Sequence, residues 1–339
     1  NRGTSTYSGE NSTYGDFAIF DDLFTENPRV VKGMTDIYRA WISDFGIDGY
    51  RIDTVKHVNI EFWQKFSPAI QEYAAKHGKP DFVQFGEVYS GDPRYTSQFT
   101  TTGKMPATLD FGFQEQVRAF ASQGGGSHGL RDLFANDDYY TDTDSNAYQL
   151  PLFLGNHDMG RIGYFLRSDT PDAGDAELVA RDKLAHALMY FSRGNPVLYY
   201  GDEQGFTGDG GDKDSREDMF GSQVASYNDN TLIGTKRTTA QNSFHKSHPL
   251  YRELAAYSKL RASTPAFSTG TQIQRHSSEG AGIYAFSRIT HEGNRQTEYV
   301  VAFNNAKTAQ SATLATEKLS GKLNPVWPAD NGSLRTDRD

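Results

Sequence analysis

Short apolar segments alternate with amphipathic helical segments in the first part of the chain, and this alternation restricts the fold more than any other feature. Apolar residues recur at helical spacing over 28–45, 60–77 and 176–193, and a glycine follows each of these helices. Asn27 and Pro28 predict the start of the first helix, as its N-cap and first-turn residue. Alternating strands and helices indicate a parallel sheet with helices outside it. The predicted strands are 47–53, 81–87, 107–111, 150–155 and 196–200.

The pattern changes after residue 268, where apolar and polar residues alternate over 282–289 and 298–304. Such alternation is typical of antiparallel strands that bury one face. We therefore predict a separate small domain that begins near Thr264-Pro265.

Charge, cysteine content and hydropathy exclude several classes of protein. The 339 residues carry a net charge of −9, whereas a nucleic-acid-binding protein normally presents a basic surface. No apolar run approaches the roughly 18 residues of a membrane-spanning helix, so we expect no membrane protein. The absence of cysteine excludes disulfide frameworks, thiolate metal sites and cysteine nucleophiles. It is compatible with a secreted bacterial protein and with a cytosolic one.

Three acidic residues, Asp53, Glu87 and Asp158, each follow a predicted strand. Active sites of barrel enzymes are assembled at this end of the strands. Arg51 and Asp53 are two residues apart and share one strand face, where a guanidinium favours the ionised carboxylate of a nucleophile. Apolar residues precede Glu87, and such surroundings raise a carboxyl pKa and suit a general acid. Retaining glycoside hydrolysis requires such a pair, with carboxyl groups about 5–5.5 Å apart.

Each motif taken singly has a commoner structural explanation. Arg51 with Asp53 is typical of a structural ion pair, and a glutamate after Phe-Gly is unremarkable. Asn156-His157-Asp158 is typical of a turn or a helix cap. Their joint occurrence, in order and at strand ends, favours an active site.

Several segments together resemble the α-amylase family, glycoside hydrolase family 13. Gly49–Val58 (GYRIDTVKHV) resembles the second conserved region of that family. Phe85–Val88 and Phe153–Asp158 resemble its third and fourth regions, and Leu198–Glu203 resembles the segment at its eighth strand. The resemblance extends over about residues 17–220.

The resemblance implies a role for each of the three carboxylates. Asp53 would be the nucleophile, Glu87 the general acid/base, and Asp158 the group that holds sugar hydroxyls and stabilises the transition state. The implied activity is retaining cleavage of mainly α-1,4 bonds in starch-like glucans or maltooligosaccharides, through a covalent glycosyl-enzyme intermediate and without a cofactor for the chemistry. Implied substrate-contacting or nucleophile-positioning residues are Arg51, Lys56, His57, Asn156 and His157.

The implied fold is an α/β (β/α)8 TIM barrel followed by a small antiparallel β-sandwich domain. The first conserved region of the family is missing, and the chain starts at Asn1 without methionine. We therefore expect a fragment with residues 1–25 as the end of an inserted domain, 26–267 as barrel strands four to eight, and 268–339 as the start of the sandwich. We expect an extracellular location, because polymer-degrading relatives are usually extracellular. The sequence does not indicate an oligomeric state.

Two acidic segments are candidates for further sites. Ile19–Phe24 resembles the end of the inserted domain of the family, which implies a structural calcium on Asp22 with the backbone carbonyl of His57. The alternative is a solvent-facing acidic loop. Asp209–Asp218 lacks calcium-loop spacing, and we predict a solvated loop at the mouth of the site, where it could shape a sugar subsite. Tyr89 is suited to stack on a sugar ring or to pack in the core.

Two other functions remain open at this stage. The same carboxylates serve glycosyl-transferring or isomerising relatives, such as trehalose synthases or glucanotransferases, which differ in how they exclude water. A catalytically silent carbohydrate-binding relative is also conceivable, because fold alone does not establish function. The presence of all three carboxylates with Arg51 and His157 argues against the silent relative.

Overall fold

The computed structural model describes residues 11–16, 20–317, 322–328 and 334–335. The α-helices are α1 (Asn11–Tyr14), α2 (Pro28–Phe45), α3 (Ile60–Lys76), α4 (Pro93–Thr101), α5 (Phe111–Val117), α6 (His128–Ala135), α7 (Ile162–Asp169), α8 (Asp175–Phe191), α9 (Ala225–Asn228), α10 (Pro249–Ser263) and α11 (Pro265–Thr269). The strands are β1 (Gly49–Ile52), β2 (Val83–Gly86), β3 (Ala107–Thr108), β4 (Pro151–Leu152), β5 (Asn195–Pro196), β6 (Thr271–His276), β7 (Ile283–Glu292), β8 (Arg295–Asn304), β9 (Lys322–Leu323) and β10 (Leu334–Arg335). Short 3-10 helices include Val55–His57, Asp202–Gln204 and Asp212–Ser215.

The first five strands are parallel and lie side by side in chain order. β1, β2 and β3 form one sheet, and β4 pairs with β5. The N–H of Asp110, just beyond β3, donates to the carbonyl of Pro151 in β4 at 3.0 Å, which joins the two sheets. This is the strand arrangement of part of a (β/α)8 barrel, and among the described residues the ring of strands is not closed.

The predicted first helix is confirmed, with its caps, as α2. Asn27 accepts a hydrogen bond from the N–H of Arg29, and Gly46 ends the helix in the left-handed conformation at φ 69°. The helix buries Val31 and Ile42 in the core that it shares with α3.

Part of the apolar stripe of α2 faces away from that core. Ile37, Trp41 and Phe45 are 53, 50 and 69 % exposed, and the rings of Trp41 and Phe45 lie 4.6 Å apart. Helical periodicity shows which residues share a face, but it does not show which neighbour covers that face.

Two large apolar clusters stabilise the fold. One lies between α3 and β1, where Trp63, Phe66 and Ile70 pack with Ile52, and it confirms the apolar stripe predicted for this helix. Within β1 itself, only Ile52 is buried. In the second cluster, Leu188 of α8 packs in the same core as Phe286 of β7. The C-terminal sheet therefore shares a core with the helices outside the parallel strands.

The antiparallel pattern predicted after residue 268 is confirmed. β6, β7 and β8 form an antiparallel sheet in which Ile283 pairs with Asn304 and Glu292 with Arg295. β9 and β10 form a further antiparallel pair. Among the described helices, none combines the length and the apolar character that a membrane span requires.

Candidate active site

The ends of β1 and β2 bring Asp53 and Glu87 to one edge of the parallel sheet. Ile52 pairs with Gly86 in the register, so each acidic residue directly follows its strand. The N–H of Glu87 donates to the carbonyl of Ile52 at 2.8 Å, and the N–H of Val55 donates to the carbonyl of Glu87 at 3.0 Å. These bonds continue the ladder past the strand ends and fix the two residues relative to each other.

Both carboxylate oxygens of Glu87 are held by neighbours. Oε2 accepts from the N–H of Thr54 at 3.1 Å, and Thr54 has φ 50°, an unfavourable backbone conformation for a β-branched residue. Oε1 lies 3.0 Å from Nη2 of Arg51, whose Nη1 contacts Oδ1 of Asp53. The predicted pairing of Arg51 with Asp53 on one strand face is confirmed, and the structure adds Glu87 as a second partner.

The two carboxyl groups differ in their surroundings. The side chain of Glu87 is 11 % exposed, whereas that of Asp53 is 65 % exposed. Burial raises the pKa of Glu87 above its usual value, and the negative charges of Asp53 and Asp158 act in the same direction. The Thr54 N–H and Arg51 oppose this shift. A buried acid beside a solvated carboxylate is an arrangement that general-acid catalysis uses.

Asp158 stands on a tight turn after β4. The side-chain oxygen of Asn156 accepts from the N–H groups of Asp158 at 2.9 Å and Met159 at 3.0 Å. Gly160 closes the turn with φ 108° and exchanges two backbone hydrogen bonds with Asn156. Nε2 of His157 lies 3.2 Å from Oδ2 of Asp158. Asn156 therefore shapes the turn, while His157 and Asp158 project from it.

One cavity of about 340 Å³ brings the three carboxylates together. It lies at the edge formed by the strand ends. Arg51, Asn156 and His157 adjoin this cavity through their contacts with its lining. The lining residues are Asp53, Thr54, Lys56, His57, Glu87, Tyr89 and Asp158.

Lys56 and Tyr89 form one wall of this cavity. Nζ of Lys56 donates to the carbonyl of Tyr89 at 3.0 Å and lies 5.7 Å from the centre of its ring. The ring packs on Phe111 at a centroid distance of 4.5 Å, yet Tyr89 remains 48 % exposed. Tyr89 thus packs in the core with one side of its ring, while the other side is open to the cavity.

The calcium expected at Asp22 has little support from the donor set. His57 uses Nδ1 to contact the carbonyl of Ser12 at 2.9 Å, and burial lowers the pKa of its imidazole. The N–H of Asp22 donates to Oδ1 of Asp16 at 3.0 Å. Throughout the residues that the structure describes, no three His, Cys, Asp or Glu side chains come together as a metal site. Calcium takes about six to eight oxygen ligands, of which the Asp22 carboxylate and the backbone carbonyl of His57 would supply two, so calcium at Asp22 stays a prediction.

The acidic segment 209–218 is exposed at most of its positions, as predicted for a solvated loop, but two of its side chains are buried. Ser215 and Glu217 are fully buried, and Glu217 forms an ion pair with Arg161 inside the protein. Nη2 of Arg216 lies 3.6 Å from Oδ1 of Asp158 and 3.0 Å from Oδ1 of Asp212. Sequence reasoning missed this contact, although a lone arginine in an acidic loop after the last parallel strand was its available signal.

The chain is similar to known amylases in sequence. Residues 1–275 match the family model described as the alpha amylase catalytic domain. An alpha-amylase of Streptomyces lividans is 56 % identical over 316 residues, which covers 93 % of this chain and 34 % of that protein. A cyclomaltodextrin glucanotransferase of Geobacillus stearothermophilus is 28 % identical and covers 98 % of this chain and 42 % of its own length.

Solved structures give the same likeness in three dimensions. The alpha-amylase of Anoxybacillus superimposes with a TM-score of 0.73 at 26 % identity, over 94 % of this chain and 61 % of that one. The alpha-amylase of Geobacillus thermoleovorans, solved in complex with acarbose, gives 0.65 at 27 % identity over 84 % and 54 %. The chain thus spans about a third of the Streptomyces protein and about 60 % of the Anoxybacillus one. With a catalytic-domain model matched over most of its length, the chain belongs to the α-amylase family.

Proposed function

We propose that this chain carries the catalytic centre of an enzyme that hydrolyses α-1,4-glucosidic bonds in starch-like glucans or maltooligosaccharides with retention of configuration. One observation carries the proposal. Asp53 and Glu87 stand at neighbouring strand ends, share the guanidinium of Arg51, and differ in burial, with one acid enclosed and one carboxylate open to the cavity.

In the first step, protonated Glu87 donates its proton to the glycosidic oxygen. The carboxylate of Asp53 attacks the anomeric carbon, so a glycosyl ester forms as the bond to the leaving sugar breaks. Arg51 contacts both carboxylates, and its positive charge remains close to Glu87 when that group loses its proton.

In the second step, ionised Glu87 takes a proton from water. The water oxygen attacks the anomeric carbon, and the bond to Asp53 breaks. Two displacements at the same carbon return the original configuration. The burial that raises the pKa of Glu87 favours recovery of its proton for the next cycle.

The other cavity residues would bind and orient the sugar. Asp158, paired with His157, would hold hydroxyl groups of the ring under attack. Lys56, His57 and Tyr89 line the remaining wall, and the open face of the Tyr89 ring suits the apolar face of a pyranose. Arg51 and Asn156 would position the carboxylates rather than the substrate, as their hydrogen bonds suggest.

Glycosyl transfer is the second candidate function. Cyclomaltodextrin glucanotransferases are 27–31 % identical to this chain in alignments that cover at least 96 % of it. Transfer would need a sugar hydroxyl to replace water in the second step. The half-exposed Tyr89 at the cavity wall is the observation that favours it, because an aromatic surface there would retain an acceptor sugar.

We also propose the domain organisation expected from the sequence. Residues 1–25 would end an inserted domain, 26–267 would supply strands four to eight of a closed (β/α)8 barrel, and 268–339 would begin a β-sandwich. The five parallel strands in chain order and the antiparallel β6–β8 sheet support this arrangement. Secretion is proposed because an enzyme that degrades polymeric starch meets its substrate outside the cell.

Product analysis on soluble starch and pullulan tests the proposed function. The full-length protein should release short maltooligosaccharides of α configuration, and Asp53→Asn should release none. Asp48→Asn is the matched control, because the Asp48 side chain is 90 % exposed and pairs with Lys79 away from the cavity. Cyclic or lengthened products without a gain in reducing ends would establish transfer instead. Acarbose or glucan binding without turnover by the unmodified protein would establish a silent relative.

A further inference from the structure

We propose that the buried ion pair between Arg161 and Glu217 is a positioning device for Asp158. The inference rests on the proposed function, because it assigns these two residues to the geometry of the same active site. Neither residue lines the cavity, and neither is marked by the conserved-region motifs of the sequence.

Arg161 lies three residues after Asp158, directly before α7, and is fully buried. Its Nε lies 2.5 Å from Oε2 of Glu217, which is also fully buried. Its Nη1 donates to the carbonyl of Tyr200 at 2.6 Å and to Oδ1 of Asp202 at 3.2 Å. Arg161 therefore ties the turn that carries Asp158 to the segment after β5.

Aromatic rings enclose the guanidinium of Arg161. The ring centres of Tyr199, Tyr200 and Phe206 lie 4.2, 5.0 and 5.1 Å from its Cζ atom. The close approach of these rings, together with the ion pair to Glu217 and the Nη1 hydrogen bonds, restricts where the guanidinium can lie. Lysine would keep the charge but lose this geometry.

Glu217 fastens the loop of residues 208–217 at both ends. Its Oε1 accepts from the N–H of Gly208 at 3.0 Å, while its Oε2 pairs with Arg161. The contact with Gly208 holds the two ends of the loop together, and the contact with Arg161 fixes the loop beside the turn that carries Asp158.

The anchored loop holds the backbone of the catalytic turn. The N–H of Asp212 donates to the carbonyl of Asp158 at 2.9 Å, and Oγ of Ser215 donates to the carbonyl of His157 at 3.0 Å. A Cβ atom on Gly211 would lie only 2.6 Å from the carbonyl oxygen of Asp158. The loop and the turn therefore fit closely, and a shift of the loop would move Asp158.

A stabilising role alone explains this pair poorly. Removing two charges from water carries a large desolvation cost, so a buried pair often adds little stability over apolar residues of similar size. Asp53 and Glu87 are set by β1 and β2, whereas Asp158 depends on a turn and a loop. A rigid charged contact behind that loop gives the third carboxylate a fixed distance from the other two.

A double-mutant cycle in the full-length protein tests the role. The variants are Arg161→Met/Glu217→Leu, Asp158→Asn and their combination, measured as kcat/KM on maltoheptaose with the melting temperature of each. The charge-free pair should lower kcat/KM by about 10- to 100-fold in the wild-type background. In the Asp158→Asn background it should lower kcat/KM by less than about 3-fold, because the group that it positions is already disabled.

The matched control is Arg275→Met/Glu298→Leu, which removes another buried ion pair, in the C-terminal sheet. It should leave kcat/KM unchanged. If the Arg161/Glu217 double variant does not fold, Glu217→Gln, which keeps the size of the side chain, takes its place in the cycle.

The positioning role is wrong if the losses multiply in the combined variant, or if the charge-free pair keeps wild-type kcat/KM. An unmodified protein that releases no reducing sugar would overturn the proposed function itself. An active protein with multiplicative losses would overturn only the positioning role.

Discussion

Arg51 and Glu87 form an ion pair between neighbouring strands, with Nη2 of Arg51 3.0 Å from Oε1 of Glu87. The same guanidinium contacts Asp53 on its own strand. One cation thus serves the proposed acid and the proposed nucleophile together. Its charge opposes the rise in pKa that burial imposes on Glu87. The pKa of Glu87 therefore depends both on its burial and on the charge of Arg51.

The pH–rate profile should move in opposite directions in two variants. Activity requires protonated Glu87, so it is lost as the pH rises through the pKa of that group. Arg51→Met removes a charge that lowers this pKa, and the basic limb of kcat/KM should shift to higher pH. Asp158→Asn removes a charge that raises the pKa, and the limb should shift to lower pH. Lys32→Met, at an exposed ion pair of α2, should leave the limb in place. Unchanged basic limbs in both active-site variants would contradict the assignment of Glu87.

Glu87→Gln should slow the cleavage of starch much more than the cleavage of a substrate whose leaving group is fluoride. Loss of the general acid should lower kcat/KM on starch by about 10²- to 10⁴-fold. Fluoride leaves without protonation, so formation of the glycosyl ester from α-maltosyl fluoride should be much less affected, as measured by fluoride release. Glu72→Gln, which breaks a surface pair with Lys76, is the control. Equal losses on both substrates would show that Glu87 is not the acid.

Tyr89→Ala should weaken binding at the cavity wall. The ring is half exposed and supported by Phe111, and an aromatic contact contributes about 0.5–1.5 kcal/mol. We expect KM for short maltooligosaccharides to rise about 2- to 13-fold, while Tyr89→Phe, which keeps the ring, should retain the wild-type value. Steady-state kinetics on maltotriose measures the difference. A KM as high in the phenylalanine variant as in the alanine variant would exclude ring stacking as the cause.

Asp202→Asn should change how stability depends on pH. Burial raises the pKa of Asp202 to about 7, against the opposing charge of Arg161. The folded protein therefore holds a proton that the unfolded chain releases between about pH 4 and pH 7, so this contribution to stability is lost as the pH rises through that window. The free energy of unfolding of Asp202→Asn should thus increase relative to wild type from pH 5 to pH 8, as measured in urea. A difference that stays constant or falls with pH would contradict the raised pKa.

Gly211→Ala and Gly33→Ala should have opposite effects. The added methyl group at position 211 would meet the carbonyl oxygen of Asp158 at 2.6 Å, whereas the space beside Gly33 in α2 is empty within 4 Å. Gly211→Ala should lower kcat/KM about 10-fold or more, because the turn of Asp158 must shift. Gly33→Ala should keep full activity and raise the free energy of unfolding by about 0.5–1 kcal/mol. Full activity of Gly211→Ala would show that the loop does not set the position of Asp158.

The sequence by itself was sufficient for features that depend on neighbouring residues. Asn27 and Gly46 marked the ends of α2 because a cap is a contact within a few residues. The strand–helix order followed from the spacing of apolar residues. The candidate carboxylates followed from their place after predicted strands and from family motifs. Arg51 and Asp53 could be paired because residues two apart on a strand share a face.

The tertiary structure alone decided which distant segments meet. It placed Arg51 beside Glu87, 36 residues further along the chain, and it buried Glu217 of an apparently solvated loop against Arg161. It also left Trp41 on the exposed side of its helix. Periodicity and capping are local, whereas burial and ion pairing depend on the elements that pack together, and the energy of a charged group depends on whether that packing removes its water.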